Sequence, residues 1–212
     1  GLVNVEKSRF SEKIHEDIIK SLPKNSDECQ YELASALLCA RVTSHSTGKI
    51  SSGMKSFSSA VADYLRHLMV CIRIEMPTDD RDNDWSRIFT EGRNRDSMNQ
   101  HAFSSESLRA WINALPDLTS MDRADELASD VSARRAALRG AFLISGYAGD
   151  PISEYRIEIR VADSTYVEPL MMFFHGQNII PNIARRGNTT ILYLRDGEQI
   201  ADFLAFIGAH RS

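Results

Sequence analysis

The sequence contains little of what several protein classes require. Its 212 residues include three cysteines, an odd number without CxxC spacing, which argues against a disulfide framework and against a zinc site. No apolar run approaches the ~20 residues that a membrane span needs, and the first residues lack the apolar core of a signal peptide. We therefore predict a protein of the reducing cytoplasm that contacts no membrane and binds no metal or other cofactor.

Basic charge is scarce as well. The chain has 25 Lys and Arg against 29 Asp and Glu, a formal net charge of -4, which is unlike the strongly basic body of a self-sufficient nucleic-acid binder. Lysine is absent from residues 132–212, where nine arginines accompany eight acidic residues. Arginine without lysine suits bidentate pairing with phosphates or carboxylates, and it serves equally well in ordinary surface pairs. Any affinity for DNA must therefore come from local patches.

Hydrophobic spacing in the first half predicts alternating helices and strands. Phe10, Ile14 and Ile18 at i, i+4 and i+8 predict an opening helix that ends before Pro23. The small and apolar residues of CQYELASALLCARV, 29–42, predict a buried helix. Further along, the pattern predicts a strand or loop at 43–53, a helix at 56–70, strands at 71–76 and 85–92, and a capped helix at 104–115.

The second half has clearer patterns. We predict a helix over 132–146 that ends at Gly146, a strand over 154–161, a helix over 163–177, a hairpin of residues 178–185 and 188–196, and a closing amphipathic helix over 197–210. The polar, acidic composition of the stretch between the halves predicts a linker that is itself helical. We accordingly divide the chain into an N-terminal helix (1–24), a first half (25–116), a linker (117–132) and a second half (133–212).

The two buried helices can be aligned at a constant offset, with Ala36 on Gly140 and Arg41 on Ser145. The chain therefore looks like a degenerate internal duplication. The string LRGAFLISG, residues 138–146, resembles the signature helix of LAGLIDADG homing endonucleases at its first leucine and at both glycines. Small residues at helical spacing also occur in any core helix. The residues that we expect to bring the two helices together are Ala36, Ala40, Gly140 and Ala141.

Longer stretches carry a more specific resemblance. The segments RRAALRGAFLISGYAGDP, YRIEIRV and ILYLRDGEQIADFLAFIGAH are similar to the WhiA family of bacterial sporulation and cell-division regulators, most strongly from Arg134 to His210. The resemblance implies an α+β, two-lobed LAGLIDADG homing-endonuclease-like domain with pseudo-twofold, αββαββα-type halves. WhiA chains continue into a helix-turn-helix, so we expect this chain to hold the LAGLIDADG-like part alone.

The resemblance also implies a function. WhiA proteins act as DNA-binding transcriptional regulators of sporulation and the cell cycle, so a cytoplasmic, nucleoid-associated protein is expected. Its implied partners are duplex DNA, which the missing helix-turn-helix would bind more strongly than this fragment, and other transcription proteins. We therefore expect this fragment to bind DNA weakly and without sequence preference.

The positions of catalysis argue against an enzyme. A LAGLIDADG nuclease needs an acidic residue at the end of each motif helix, because the two carboxylates hold the divalent ions that activate water. The alignment puts Arg41 and Ser145 at these former acid positions. A guanidinium repels a cation and a lone hydroxyl is a poor ligand. Asp150, close to the second helix end, reads as a turn residue. We predict that the chain is catalytically inactive, and an active endonuclease is the remote alternative.

Arginines on the predicted strands are the candidate DNA contacts. In the saddle that the resemblance implies, one face of each sheet packs on helices and the other receives the duplex. The candidate residues are Arg73, Arg156, Arg160, Arg185 and Arg186. Glu158 stands between two of them, so cross-strand Arg–Glu pairs on a solvated sheet are an equal alternative. The competing function is a protein-interaction or regulatory module whose old DNA saddle no longer binds DNA.

Overall fold

The computed structural model describes residues 2–43, 49–52, 59–73, 99–102 and 113–209. The helices are α1 (Leu2–Ile19), α2 (Ser26–Cys39), α3 (Ser59–Arg73), α4 (Met121–Ala128), α5 (Val131–Ser145), α6 (Val167–Gly176) and α7 (Gly197–Ile207). The strands are β1 (Arg41–Thr43), β2 (Lys49–Ser52), β3 (Asn99–Ala102), β4 (Gly146–Gly149), β5 (Arg156–Val161), β6 (Asn182–Arg186) and β7 (Thr189–Leu194). Within these ranges, no helix has the length and apolar character to cross a membrane.

The strands form two antiparallel sheets. One has the order β1-β2-β3 and the other the order β4-β5-β7-β6. In the second sheet β6 and β7 form a hairpin whose last pair is Arg186 with Thr189, so the predicted hairpin and the predicted strand β5 are confirmed. β4 follows α5 directly and was not predicted, because its four residues GYAG carry no strand-forming pattern.

Side-chain caps set the starts of the helices that frame the second sheet. Asp130 accepts a hydrogen bond from the backbone N–H of Ser132 at the start of α5, and Asp196 accepts one from Gln199 at the start of α7. The predicted end of α5 before Gly146 is confirmed. Gly146 has φ -89°, so it is not needed for a left-handed turn; a Cβ there would overlap the ring of Phe142.

Helices α2 and α5 form the centre of the core. They make the most extensive helix contact among the described elements, and α1, α3, α6 and α7 pack around them. One face of β5 closes the core through Ile157, Ile159 and Val161, each at most 1% exposed. The alternation predicted for this strand is therefore confirmed, and its polar residues lie on the face turned away from the helices.

The predicted strand over 71–76 is wrong for its described part. Residues 71–73 continue α3, because Leu65, Leu68 and Ile72 form one buried helical stripe. The predicted linker contains α4, in agreement with its helical interpretation. The predicted strand over 85–92 lies outside the described residues, as does most of the helix predicted over 104–115. The limits of the two halves stay a prediction.

Candidate nucleic-acid interface

The crossing of α2 and α5 depends on the absence of a side chain at Gly140. A Cβ at Gly140 would overlap the carbonyl oxygen of Glu32 and would lie 3.1 Å from the backbone nitrogen of Ala36. Ala36, Ala40 and Ala141 are all at most 5% exposed at this crossing. Small residues therefore let the two backbones touch, as a paired LAGLIDADG-type helix requires.

A reciprocal contact defines how the two helices correspond. The hydroxyl of Ser35 donates to the carbonyl oxygen of Ala137 at 2.6 Å, just as Gly140 faces the carbonyl of Glu32. Ser35, and not Ala36, is thus the counterpart of Gly140. The alignment made on sequence is off by one residue, and the counterpart of Ser145 is Ala40. Arg41 lies beyond the helix end as the first residue of β1.

The two helix ends offer no acid to a metal ion. Ala40 has no ligating atom in its side chain, and the Ser145 hydroxyl lies 2.6 Å from the carbonyl oxygen of Arg160 and 3.0 Å from that of Ala141. Asp150 accepts a hydrogen bond from the backbone N–H of Ile152, as expected of a turn residue. Within the described ranges no three His, Cys, Asp or Glu side chains come together to hold a metal ion.

The helix pair also contains a buried ion pair. Arg139 donates from Nε to Glu32 at 2.6 Å, from Nη1 to the carbonyl of Ile207 at 2.9 Å, and from Nη2 to Tyr64 and to the carbonyl of Ser21. The Tyr64 hydroxyl donates in turn to Glu32. Burial raises the pKa of Glu32, and the charge of Arg139 opposes this shift. Every nitrogen of Arg139 has a partner, so this arginine is structural.

Several arginines lie on the face of the second sheet that is turned away from the described helices. Strand pairing places Glu158 opposite both Tyr147 and Tyr193, and Arg160 opposite Ile191. Directly paired residues share a face, and residues two apart on a strand do so as well. The same face therefore holds Arg156 on β5 and, through the pair with Thr189, Arg186 on β6.

The arginines of this face differ in how far they are neutralised. Arg156 pairs with Glu158 and lies 3.3 Å from Glu154. Arg160 has no ion pair with any described residue, and its buried Nε lacks a hydrogen-bond partner, as does the Nε of Arg156. Arg186 is exposed at the end of the hairpin strand. The alternative of Arg–Glu pairing is thus realised at Arg156, although along the strand and not across it.

Two of the arginines predicted to contact DNA lie elsewhere in the structure, and one arginine on this face was not predicted. Arg73 ends α3 and does not lie on a strand, because the stripe of α3 continues to Ile72. Arg185 pairs with Thr190 on the opposite face of the sheet from Arg186. Arg195 was missed by sequence reasoning; its guanidinium lies 5.2 Å from the ring centroid of Tyr193, beside the arginine-bearing face. The term sheet-face arginines below means Arg156, Arg160, Arg186 and Arg195.

Comparison with known structures identifies the class of this fold. The N-terminal LAGLIDADG domain of DUF199/WhiA matches 95% of this chain and 94% of its own, with a TM-score of 0.67 and 22% identity. I-DmoI in complex with DNA and Mn matches 89% of this chain with a TM-score of 0.53 and 11% identity. The fold is therefore that of LAGLIDADG homing endonucleases, as the sequence predicted.

Sequence comparison shows which known proteins the second half resembles. The WhiA LAGLIDADG-like domain profile matches residues 134–212. A probable cell division protein WhiA of Clostridium botulinum is 39% identical over 79 residues, 37% of this chain. Its counterpart in Heliobacterium modesticaldum is 36% identical over 91 residues. The Clostridium match spans a quarter of the relative's length. The resemblance to WhiA is confirmed, and residues 134–212 match the WhiA LAGLIDADG-like domain.

Proposed function

We propose that this chain is a catalytically inactive LAGLIDADG-like part of a WhiA-type regulator of cell division and sporulation, and that its sheet-face arginines bind the phosphates of duplex DNA. The protein would act in the cytoplasm at the nucleoid. The observation that carries the proposal is the second sheet, whose face turned away from the described helices presents Arg160, Arg186 and Arg195, none of which pairs with a described carboxylate.

Charge on this face supports DNA as the ligand. The same face carries four arginines, and among the described residues Arg156 alone forms ion pairs, with Glu154 and Glu158. An arginine without an acidic partner can release a counterion from a phosphate, which is the main source of sequence-independent affinity. The net charge of -4 for the whole chain limits this affinity, so binding is weak and falls steeply with salt.

Catalytic inactivity follows from the helix ends. Two acids are needed where the motif helices end, and Ala40 and Ser145 occupy these corresponding positions. The Ser145 hydroxyl is also engaged with backbone carbonyls, so it is not directed at a ligand. We expect that pure protein does not nick supercoiled plasmid with Mg²⁺ or Mn²⁺. Nicking that is lost when one carboxylate is replaced would contradict this assignment.

A protein-interaction module is the second candidate function. It is favoured by the acidic neighbours Glu154 and Glu158, which hold Arg156 away from a phosphate. Other transcription proteins would then be the partners of the sheet face. The two functions differ in salt dependence, because a duplex releases counterions along its whole contact whereas a protein surface of mixed charge does not.

The deciding experiment is fluorescence anisotropy of a labelled 30-base-pair duplex at several salt concentrations. We expect a linear fall of log affinity with log salt for the parent chain, with a slope near -0.9 per phosphate contacted. Arg160→Gln with Arg186→Gln should reduce the magnitude of this slope by about 2. Arg123→Gln, which removes one exposed positive charge on α4 by the same substitution, is the control and should leave the slope as it is. Equal slopes for all three proteins would favour the protein-interaction module.

A further inference from the structure

The two outer edges of the second sheet differ in whether the fold covers them. Strand β4 forms one edge, and there the backbone N–H of Ala148 donates to the Ser11 hydroxyl of α1 at 3.1 Å. Strand β6 forms the other edge, and no described strand pairs with its outer side. An uncovered edge presents main-chain donors and acceptors, to which an extended segment can add as a further strand.

The strand pairing identifies which residues of β6 face outward. In an antiparallel sheet each residue directs its N–H and C=O to the same neighbouring strand, and successive residues alternate. Because Ala148 donates out of the sheet, the pairs that link β4, β5, β7 and β6 turn the main chain of Ala184 toward β7. The N–H and C=O groups of Ile183 and Arg185 therefore face away from the sheet.

The side chains of the same two residues are exposed. Ile183 is 53% exposed although its partner Leu192 is 1% exposed, so the described helices leave this side of β6 largely uncovered. Arg185 lies on the same face as Ile183, is exposed, and forms no ion pair with a described residue. Ile180, just before the strand, is 67% exposed. The edge therefore offers apolar contact and positive charge beside its main-chain groups.

We propose that the outer edge of β6 binds an extended, acidic peptide segment of a partner protein by strand addition. The acids of the segment lie opposite Arg185 and Arg186, and an apolar side chain lies opposite Ile183. An antiparallel segment then has the order acid, acid, any residue, apolar. The proposal does not rest on DNA binding, because Ile183 and Arg185 lie on the other face of the sheet from the sheet-face arginines.

Charge selects an acidic partner over a second copy of this chain. Residues 169–195 contain three arginines and no Asp or Glu. If β6 paired with β6 of a second copy, four arginines would meet in one two-stranded ladder without an acid, and like charges on adjacent strands are destabilising. An acid opposite each arginine makes a favourable cross-strand pair instead.

The experiment titrates the full chain into a fluorescein-labelled peptide amide of sequence SDETVTS and follows anisotropy, with amide hydrogen exchange measured by NMR. We expect saturable binding. The amides of Ile183 and Arg185 should exchange fast in the free chain and slowly in the complex, whereas the Ala184 amide is protected in both. The same peptide with N-methylvaline should not bind, because the valine N–H faces β6 in the added strand. No binding up to about 1 mM, or protection of both outward amides in the free chain, would overturn the proposal.

Charge reversal on both partners tests the recognition. Arg185→Glu should weaken binding of the acidic peptide by about fivefold, as expected for an exposed pair. Binding should return when the glutamate of the peptide is replaced by lysine, a rescue that damage to the fold would not allow. Arg123→Glu, the same change at an exposed position of α4, is the matched control and should bind the acidic peptide as the parent does. Equal loss in both variants, or loss without rescue, would contradict the assignment.

A proline variant separates strand addition from contact through side chains alone. Ile183→Pro removes an outward N–H from an edge strand without breaking a bond to β7, so the fold should be kept and peptide binding should be lost. Circular dichroism checks the fold, and the N-methylvaline peptide gives the same distinction if this variant does not fold. Sedimentation of the parent chain supplies the last outcome: dimers that Ile183→Pro abolishes would assign the edge to a second copy and overturn the proposal.

Discussion

Arg139 in the helix pair and Arg160 on the second sheet both have a buried Nε, yet the two atoms differ in what surrounds them. All three nitrogens of Arg139 donate to protein oxygens, and its charge is paired with Glu32. Arg160 has no ion pair among the described residues, and its buried Nε has no hydrogen-bond partner. A buried polar atom without a partner is unfavourable unless a ligand satisfies it.

This difference assigns a structural role to the helix pair and a binding role to the sheet face. The helix pair keeps the close packing of a LAGLIDADG-type core, and its buried charges pair with each other. The sheet face keeps arginine charges free for a ligand, and the buried Nε of Arg160 without a partner lowers the stability of the fold modestly. We expect substitutions in the first region to change the free energy of unfolding, and substitutions in the second to change affinity for DNA.

The largest effect is expected for Arg139→Met. It leaves Glu32 as a buried carboxylate without its cation, which should lower the free energy of unfolding by about 3–5 kcal/mol. Chemical denaturation followed by circular dichroism measures this change. The double variant Glu32→Leu with Arg139→Met should recover most of the loss, because a buried pair can be replaced by apolar side chains of similar volume. A double variant as unstable as the single one would show that the unpaired Glu32 carboxylate does not cause the loss of stability.

The next largest effect is expected for Gly140→Ala. One methyl group would overlap the Glu32 carbonyl and force the helices apart, at a cost of about 1–3 kcal/mol or more from overpacking. Gly140→Leu should be worse. The matched control is Gly197→Ala at the start of α7, where the nearest atom to an added Cβ is 3.9 Å away. Thermal melts compare the two: a Gly140→Ala melting temperature at or above that of the parent would mean that the close helix pair is wrong.

A smaller loss is expected for Ser145→Ala. The variant removes a buried hydroxyl that bonds to the Arg160 carbonyl, so the free energy of unfolding should fall by about 1 kcal/mol. Ala40→Ser at the counterpart position introduces the same hydroxyl and serves as the reciprocal test. Neither variant should gain or lose DNA affinity. A change in affinity without a change in stability would assign Ser145 to the binding face.

His15 on α1, which packs against Phe142 of α5, makes the stability of the core depend on pH. Its Nδ1 lies 2.7 Å from the Ser11 carbonyl and its ring stacks on Phe142 at 4.6 Å. Burial lowers the pKa of His15 below its ordinary value of 6.5. The unfolded chain therefore binds more protons just below pH 6.5, and the free energy of unfolding falls as the pH drops through this value. His15→Gln should flatten this part of the curve in denaturation series at several pH values; an unchanged slope would assign the dependence to another group.

Sequence patterns predicted the second half better than the first. β5 was found because Ile157, Ile159 and Val161 alternate strictly with charged residues over a full strand. The alternation at 71–76 was too short to outweigh the helical stripe that begins at Leu65. The predicted hairpin placed Arg186 in its turn, whereas Arg186 is the last residue of β6. Adjacent strand residues point to opposite faces, so the separation of Arg185 from Arg186 became visible only in the structure.

Several features of the candidate site could not be predicted from the sequence. Small and apolar residues are interchangeable in an alignment of two core helices, so the shift from Ala36 to Ser35 as the counterpart of Gly140 needed the backbone contacts. Arg195 lies inside the predicted strand over 188–196 but was not among the candidate contacts, and in the structure it follows the last residue of β7. The neutralisation of Arg156 and the absence of a described partner for Arg160 depend on side-chain positions that residue spacing does not determine.

The most direct measurement of the central claim combines affinity and stability in one pair of variants. Arg160→Gln with Arg186→Gln should weaken duplex binding and reduce the magnitude of the salt slope by about 2, while the free energy of unfolding changes by less than about 0.5 kcal/mol. The parent chain should bind the same duplex without cutting it in the presence of Mg²⁺. Unchanged binding by the double variant, with a parent that does bind DNA, would contradict the assignment of this sheet face as the DNA contact.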